Sequence, residues 1–511
     1  MKRLLAAAVC ACSITLALVA IPPRAQAGGL LGGLFGPKAS PTPSPTPAPL
    51  PTATPEPPQV AIPRLQAKLK EHPDDQQAML ELAAEYLQIN RADLALPLTQ
   101  HLLALGNKTA EVFYYDGAAQ ETAGNLQAAL ADFQNASDLD PTNLAILAQL
   151  AQVDLQLGHA ADAERIANRA IVFHKDDAQA YVLLGQVYLG EKKIDQARAE
   201  FEKAAAIDPK NVEPIYQIAN IYAQQKNPQM ALRTVERALQ LNPSDVQALI
   251  FRAEMYGEEH DDTAMRRAFA DALVAASTDE QKAAVLAREA DYYAGHHDDA
   301  DAERVLKEAI SRYPKVASAY LQYGDFLAAR RRLADASTQW RRALDVEPDD
   351  PGALGRIGQY ELEHGDTNKA IGYLLRLTKV APSAQSYALL GEAYSSARRY
   401  AQAREACARS FDYQRTPEML GCIAGSDFEL KRYAEAAKIF SALDQAAPGF
   451  LDGNPQLLYI AAHAYAHDGR KAAALDAYRR LLAMMRKGTA SYKKIEAEIA
   501  ALTGGRTGKR G

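Results

Sequence analysis

Three groups of side chains in this sequence are of types that could do chemistry. Glu258-Glu259-His260-Asp261-Asp262 and His296-His297-Asp298-Asp299 combine carboxylates with imidazoles, which is the donor set of a divalent-cation site. His159, His364 and His467 stand in similar settings beside Gly158, Gly365 and Asp468. Polar turn residues account for all of these places, so no metal ligand is assigned. Cys407 and Cys422 form the second group. An oxidising compartment would permit a bridge, whereas buried free cysteines behave as small hydrophobes, and both readings stay open. The third group is a recurrent series of carboxylates and tyrosines, whose meaning depends on the elements that carry them. No phosphate loop, serine nucleophile elbow, zinc-type Cys/His spacing or dinucleotide glycine pattern occurs. The chain therefore reads as a non-enzyme without a cofactor.

Those elements are helical. Of 511 residues 48% are apolar, yet 7% are aromatic and Trp occurs once, so Ala and Leu must supply the apolar share. Both rank high in helix propensity, and strand-rich chains lean instead on β-branched and aromatic residues. A charged fraction of 23% and a mean hydropathy of -0.26 exclude a polytopic membrane protein and a wholly disordered chain. Four cysteines exclude a disulfide-stapled scaffold, and a net charge of -6 opposes nucleic-acid binding.

Residues 1–27 have a basic start at Lys2 and Arg3, an apolar stretch from Leu4 to Ile21, and Ala25-Gln26-Ala27 at the end. That layout predicts a signal peptide cleaved after Ala27 and an exported chain, periplasmic or extracellular in the cell envelope. The alternative, an uncleaved anchor, would be the chain's membrane contact. Residues 28–75 read as a disordered spacer and lead-in, first Gly-rich and then Pro/Thr-rich, because Pro at the density of 41–58 favours extended backbone.

From residue 76 the chain repeats. Small residues at Ala83, Gly117, Ala151, Gly185, Ala219 and Ala253 are each 34 apart, and the series continues at Ala290, Gly324, Gly358, Gly391, Ala424 and Ala462. Alanine recurs twelve residues after each, except at Met265, and a larger apolar group such as Phe133, Phe201 or Trp340 follows four residues later. This resembles the tetratricopeptide repeat family, whose unit places a small residue at position 8, Tyr at 11, Ala at 20, an aromatic at 24, Ala at 27 and Pro at 32. Gly185, Tyr188, Ala197, Phe201, Ala204 and Pro209 fill all six places in residues 178–211.

The resemblance implies an all-α fold: a right-handed α-solenoid of about twelve stacked antiparallel helix pairs over 76–488. A capping helix is expected over 489–503 and a disordered basic tail over 504–511. Small residues at positions 8 and 20 would let the paired helices approach, with position 24 filling the gap. The interval lengthens around Ser277 to Lys282 and around Gly449 to Asn454, where local irregularity is expected.

In this family positions 2, 5, 9, 12 and 13 of the first helix commonly line a ligand groove. Here they include Glu111, Tyr114, Glu121, Glu213, Tyr216, Asn220, Glu254, Asp291, Asp325, Glu392 and Tyr459, with Glu258, Glu363, Glu418, Glu429 and His463 at further places. No Lys or Arg falls at these positions, so the cationic clamp by which chaperone-binding members hold a C-terminal carboxylate is absent. Such a groove should prefer a basic or neutral protein or peptide, with a glycan the other chemistry it would accept. The implied role is a bacterial envelope scaffold or adaptor. The alternative setting is a periplasmic component of an exopolysaccharide or outer-membrane assembly system, and an enzyme-targeting subunit is a more distant one.

Overall fold

The computed structural model describes residues 56–504. The spacer up to residue 55, the signal segment and the tail beyond 504 lie outside the described residues. Two compact units divide at Val305/Leu306. In the N-terminal unit α1 (Pro58–Glu71) precedes the pairs α2 (Gln76–Gln88) with α3 (Ala92–Ala104), α4 (Ala110–Thr122) with α5 (Leu126–Leu139), and α6 (Leu144–Gln156) with α7 (Ala160–Phe173). Then come α8 (Ala178–Gly190) with α9 (Ile194–Ile207), α10 (Glu213–Gln224) with α11 (Pro228–Leu241), α12 (Val246–Glu258) with α13 (Asp262–Ala275), and α14 (Asp279–Gly295). The division falls inside α15 (Asp299–Arg312).

The C-terminal unit pairs α16 (Ala317–Ala329) with α17 (Leu333–Val346), α18 (Pro351–His364) with α19 (Thr367–Val380), and α20 (Ala384–Ser396) with α21 (Tyr400–Tyr413). α22 (Pro417–Glu429) pairs with α23 (Tyr433–Ala446) and α24 (Pro455–His467) with α25 (Lys471–Met484), and α26 (Ala490–Thr503) closes the unit. Within each unit the helices of a pair pack on each other and on the pair that follows, as α4 with α5 and α5 with α6, or α20 with α21 and α21 with α22. First helices of successive pairs also touch, as α2 with α4, α6 with α8, α20 with α22 and α22 with α24.

Local sequence sets these boundaries. Many of the first helices begin on side-chain caps: Asp75, Thr109, Asn143, Asp177, Asp245 and Asp350 each accept a backbone N–H from the first turn. In most pairs the chain leaves the first helix through a left-handed residue, as Lys192 at φ 61° in α8/α9 and His260 at φ 60° in α12/α13; α18/α19, where Gly365 has φ −128°, is an exception. At the first of these turns the Lys193 N–H bonds the Tyr188 carbonyl at 2.8 Å, satisfying a terminal acceptor of α8.

The small-against-large rule is realised in three dimensions. A Cβ added at Gly185 would lie 2.6 Å from Phe201, and one at Gly358 would lie 2.6 Å from Leu374. Ala197, Phe201 and Ala204 are wholly buried behind Gly185. Met265, the exception to the alanine rule, is also wholly buried. The first lengthened interval becomes an additional turn at the start of α14, capped by Thr278. The second becomes a turn that inserts Leu451, 1% exposed, into the apolar core around Leu458 and Phe440.

One boundary is corrected. Residues 58–71, read as disordered lead-in, form α1, whose Ala61 and Leu65 are buried against Ala78, Leu82 and Ala83. Pro58 sits at the first helical position, where no N–H is needed, and only Pro63 lies in the interior. At the other end the expected capping helix is α26, which starts on the Thr489 cap and stops at Gly504 in the left-handed region. Ile495 is buried against the last pair.

Candidate partner-binding surface

The groove-position residues of the N-terminal unit differ in environment. On α4 the carboxyls of Glu111 and Glu121 are half-buried, and burial raises both above the usual carboxylate range; Glu81 adds to the effect on Glu111. Gln156 from the next first helix donates to Glu121 at 2.7 Å. Tyr114 is buried edge-on against Phe133 and acts as core. On α10 Glu213 accepts from Gln179 at 3.1 Å, and burial, then the Asp245 carboxylate, push the Tyr216 phenol up. Asn220 is 5% exposed, and among the described residues neither its amide nitrogen nor its amide oxygen has a hydrogen-bond partner. Asp291 is exposed on α14.

Two of the acids differ from the expected open carboxylates. Glu254 is 2% exposed and its Oε1 accepts from Arg288 Nη2 of α14 at 2.6 Å. Burial outweighs that cation and pushes Glu254 up to about 7. In the C-terminal unit Arg356 Nη2 of α18 donates to Asp325 Oδ2 at 2.6 Å, while the Trp340 indole donates to Oδ1 at 3.0 Å. Both arginines lie one place outside the five groove positions, so the cations that pair with these acids stand at position 6 of the following repeat. Glu254 and Asp325 each join two neighbouring helix pairs within one unit.

Glu392 on α20 is different. It is half-buried and pushed up to about 7 by burial and by Glu363, and no hydrogen bond or ion pair engages it among the described residues. Tyr459 of α24 accepts a hydrogen bond from Lys494 of α26 at 2.7 Å and packs on His463, so the closing helix already covers it. Burial lowers the His463 imidazole below its ordinary value.

Several polar groups escaped the sequence reading. Asp154, Glu361 and Asp427 replace the usual tyrosine at position 11 and are buried. His159 contacts Asp154 at 3.2 Å, Arg341 donates to Glu361 at 2.6 Å, and Arg404 donates to Asp427 at 2.7 Å. Their signal was an acid at a tyrosine position; the partners follow no common offset, lying 5, 20 and 23 residues away. Asp116, buried on α4, accepts from Thr99 and adjoins Asp132, whose carboxyl is raised to about 7 by burial and then by Asp116.

The acidic and histidine turns of α12/α13 and α14/α15 do meet. His296 stacks on Tyr292 at 4.1 Å, with its Nε2 3.5 Å from Glu258. Among the described residues no group of three or more His, Cys, Asp or Glu is arranged to hold a metal ion. Cys407 and Cys422 are joined in a disulfide between α21 and α22, with Cα atoms 6.2 Å apart, which decides between the two readings the spacing left open. Among the described residues no helix is long and apolar enough to cross a membrane.

Two models described as tetratricopeptide repeat match the chain, one at residues 122–187 and 188–255, the other at 288–353, 327–376 and 356–417. Together they span about half of it. A human relative, "Protein O-mannosyl-transferase TMTC1", is 27% identical over 141 residues, a stretch that is 28% of this chain and 16% of that protein. Among solved structures, a crystal structure of MamA protein matches at 19% identity and a TM-score of 0.28, covering 32% of this chain and 91% of that one. MamA 41-end from Desulfovibrio magneticus RS-1 matches at 19% identity and a TM-score of 0.30, covering 34% and 97%.

Proposed function

Because the chain belongs to the tetratricopeptide repeat family, we propose that it is an exported, non-catalytic scaffold that presents its first helices to basic or neutral proteins or peptides in a bacterial cell envelope. All the helix pairs from α2/α3 to α24/α25 are taken as repeats in this reading, about twelve in number. The observation that carries the charge preference is the set of half-buried carboxylates without a cation of their own, Glu111 and Glu392 foremost. Desolvated carboxylates lacking a counter-charge gain most from a partner that brings one. A glycan would use the same acids as hydrogen-bond acceptors and remains secondary, because it supplies no charge. Export rests on the signal-like residues 1–27.

The test is chemical crosslinking in envelope fractions followed by capture of the full chain, with a Glu111→Lys, Glu121→Lys, Glu213→Lys variant beside it. Loss of one or more partners from the variant supports a charge-selective scaffold. Retention of every partner removes the charge preference, and absence of any crosslinked partner from the unaltered chain removes the scaffold. Amino-terminal sequencing of the recovered chain should begin at Gly28; a start at Met1 would replace the signal peptide with an anchor.

A further inference from the structure

Glu254, Asp325 and Glu392 each directly follow the small residue of a first helix, namely Ala253, Gly324 and Gly391. The residue two places before the small residue of the next first helix is Arg288, Arg356 and Cys422 in turn. In the first two cases the arginine crosses to the acid at 2.6 Å. In the third the position holds a cysteine that is tied to Cys407, and among the described residues no side chain supplies the cation.

What stands there instead is a small cleft, open to solvent at its mouth. Glu392, Glu418 and Gly425 line it, and Met419, Leu457 and Ile460 form its apolar wall. A Cβ added at Gly425 would meet nothing within 4 Å, so the wall there is open backbone. Glu363 lies close enough to deepen the negative field on Glu392.

We infer that this cleft in the C-terminal unit receives the guanidinium of an arginine side chain from a partner polypeptide, in the role Arg288 and Arg356 play within the chain. The apolar wall suits the aliphatic stem of the side chain, and the planar fork can bond Glu392 while facing Glu418. A lysine would place a single compact charge there and forgo the two-pronged geometry. The inference takes the scaffold reading as its premise and names the partner chemistry at one place on it.

The test uses the full chain and a pooled, N-blocked heptapeptide library with arginine fixed at the centre, beside the same library carrying neutral, isosteric citrulline. At pH 8, where Glu392 is ionised, the arginine library should be retained at least about tenfold more strongly, the scale of one charge-assisted hydrogen bond. Glu392→Gln should abolish the preference. Gly425→Leu, which fills the cleft and leaves the charges in place, should abolish retention of both libraries at this site. Equal retention of the two libraries, or an arginine preference that survives both substitutions, overturns the proposal. Envelope partners that persist on Glu392→Gln while the unaltered chain shows no arginine preference would leave the scaffold standing and this site refuted. An arginine preference in a chain that captures no envelope partner would do the reverse.

Discussion

Replacing Arg288 by methionine isolates the energetics of an acid buried between repeats. Glu254 has its carboxyl raised from 4.5 to about 7 with Arg288 still present, because desolvation exceeds the attraction of the cation. An acid raised on folding contributes stability that is full below its unfolded value and lost as pH climbs through the folded one. A shift of this size means that ionised Glu254 costs the native state about 3 kcal/mol above pH 7. Without Arg288 the carboxyl should stay protonated to still higher pH.

At pH 6 both proteins hold Glu254 protonated, so the substitution should cost only the lost hydrogen bond and packing, about 1 kcal/mol. Above pH 7 the unaltered chain ionises and the variant does not, and the gap should widen by about 1.4 kcal/mol per pH unit. Adding Glu254→Gln should make the gap independent of pH. Long repeat arrays do not unfold in one step, so the readout is native-state hydrogen exchange of peptides from α12 and α14, with rates divided by the intrinsic rate at each pH. A gap equal at pH 6 and 8.5, or a pH dependence that survives in the double variant, would refute the reasoning.

Gly185→Ala puts a methyl group into Phe201 and should destabilise by about 1–3 kcal/mol, with Gly185→Ala, Phe201→Leu recovering most of the loss in native-state hydrogen exchange of α8 and α9 peptides. Asp132 is raised to about 7 by burial and Asp116, so its ionisation erodes stability between about pH 4 and 7. Asp132→Asn should therefore shrink the loss of α5 amide protection from pH 5 to pH 8 by about 1 kcal/mol, once the group's partial exposure is discounted; an unchanged loss would contradict the pairing. Reducing the Cys407–Cys422 bridge, which spans 15 residues, should lower protection of α21 and α22 amides by about 3 kcal/mol, and unchanged exchange would show the bridge to be energetically idle.

Features confined to one repeat were legible in the sequence. The Gly185–Phe201 contact lies within a single 34-residue unit, and its cause, a missing Cβ opposite a large ring, is written in the residue types. Features that join two repeats were not. Glu254 and Asp325 look like groove acids until Arg288 and Arg356 are considered at another offset of the following unit. Burial is also invisible to position counting: Tyr114 and Tyr459 occupy groove positions, yet the first is core and the second lies under α26. α1 was masked by composition, since Pro57, Pro58 and Pro63 resemble the spacer before them although two of the three sit where a helix tolerates proline.

In a repeat protein each unit is a control for the others. An acid taken alone is either a binding group or half of a structural ion pair, and its own environment rarely separates the two. Glu254, Asp325 and Glu392 share one register, so the difference among them reduces to a single facing residue: arginine, arginine, cysteine. Where arginine is present the acid is consumed in joining repeats, and where cysteine replaces it the same acid is left beside an open cleft. A solenoid can thus change a structural position into a recognition position by one substitution, because stacking is carried by the small-against-large core and can spare the pair. The same comparison explains why Glu392 and not Glu254 is the residue whose neutralisation should be felt by a partner.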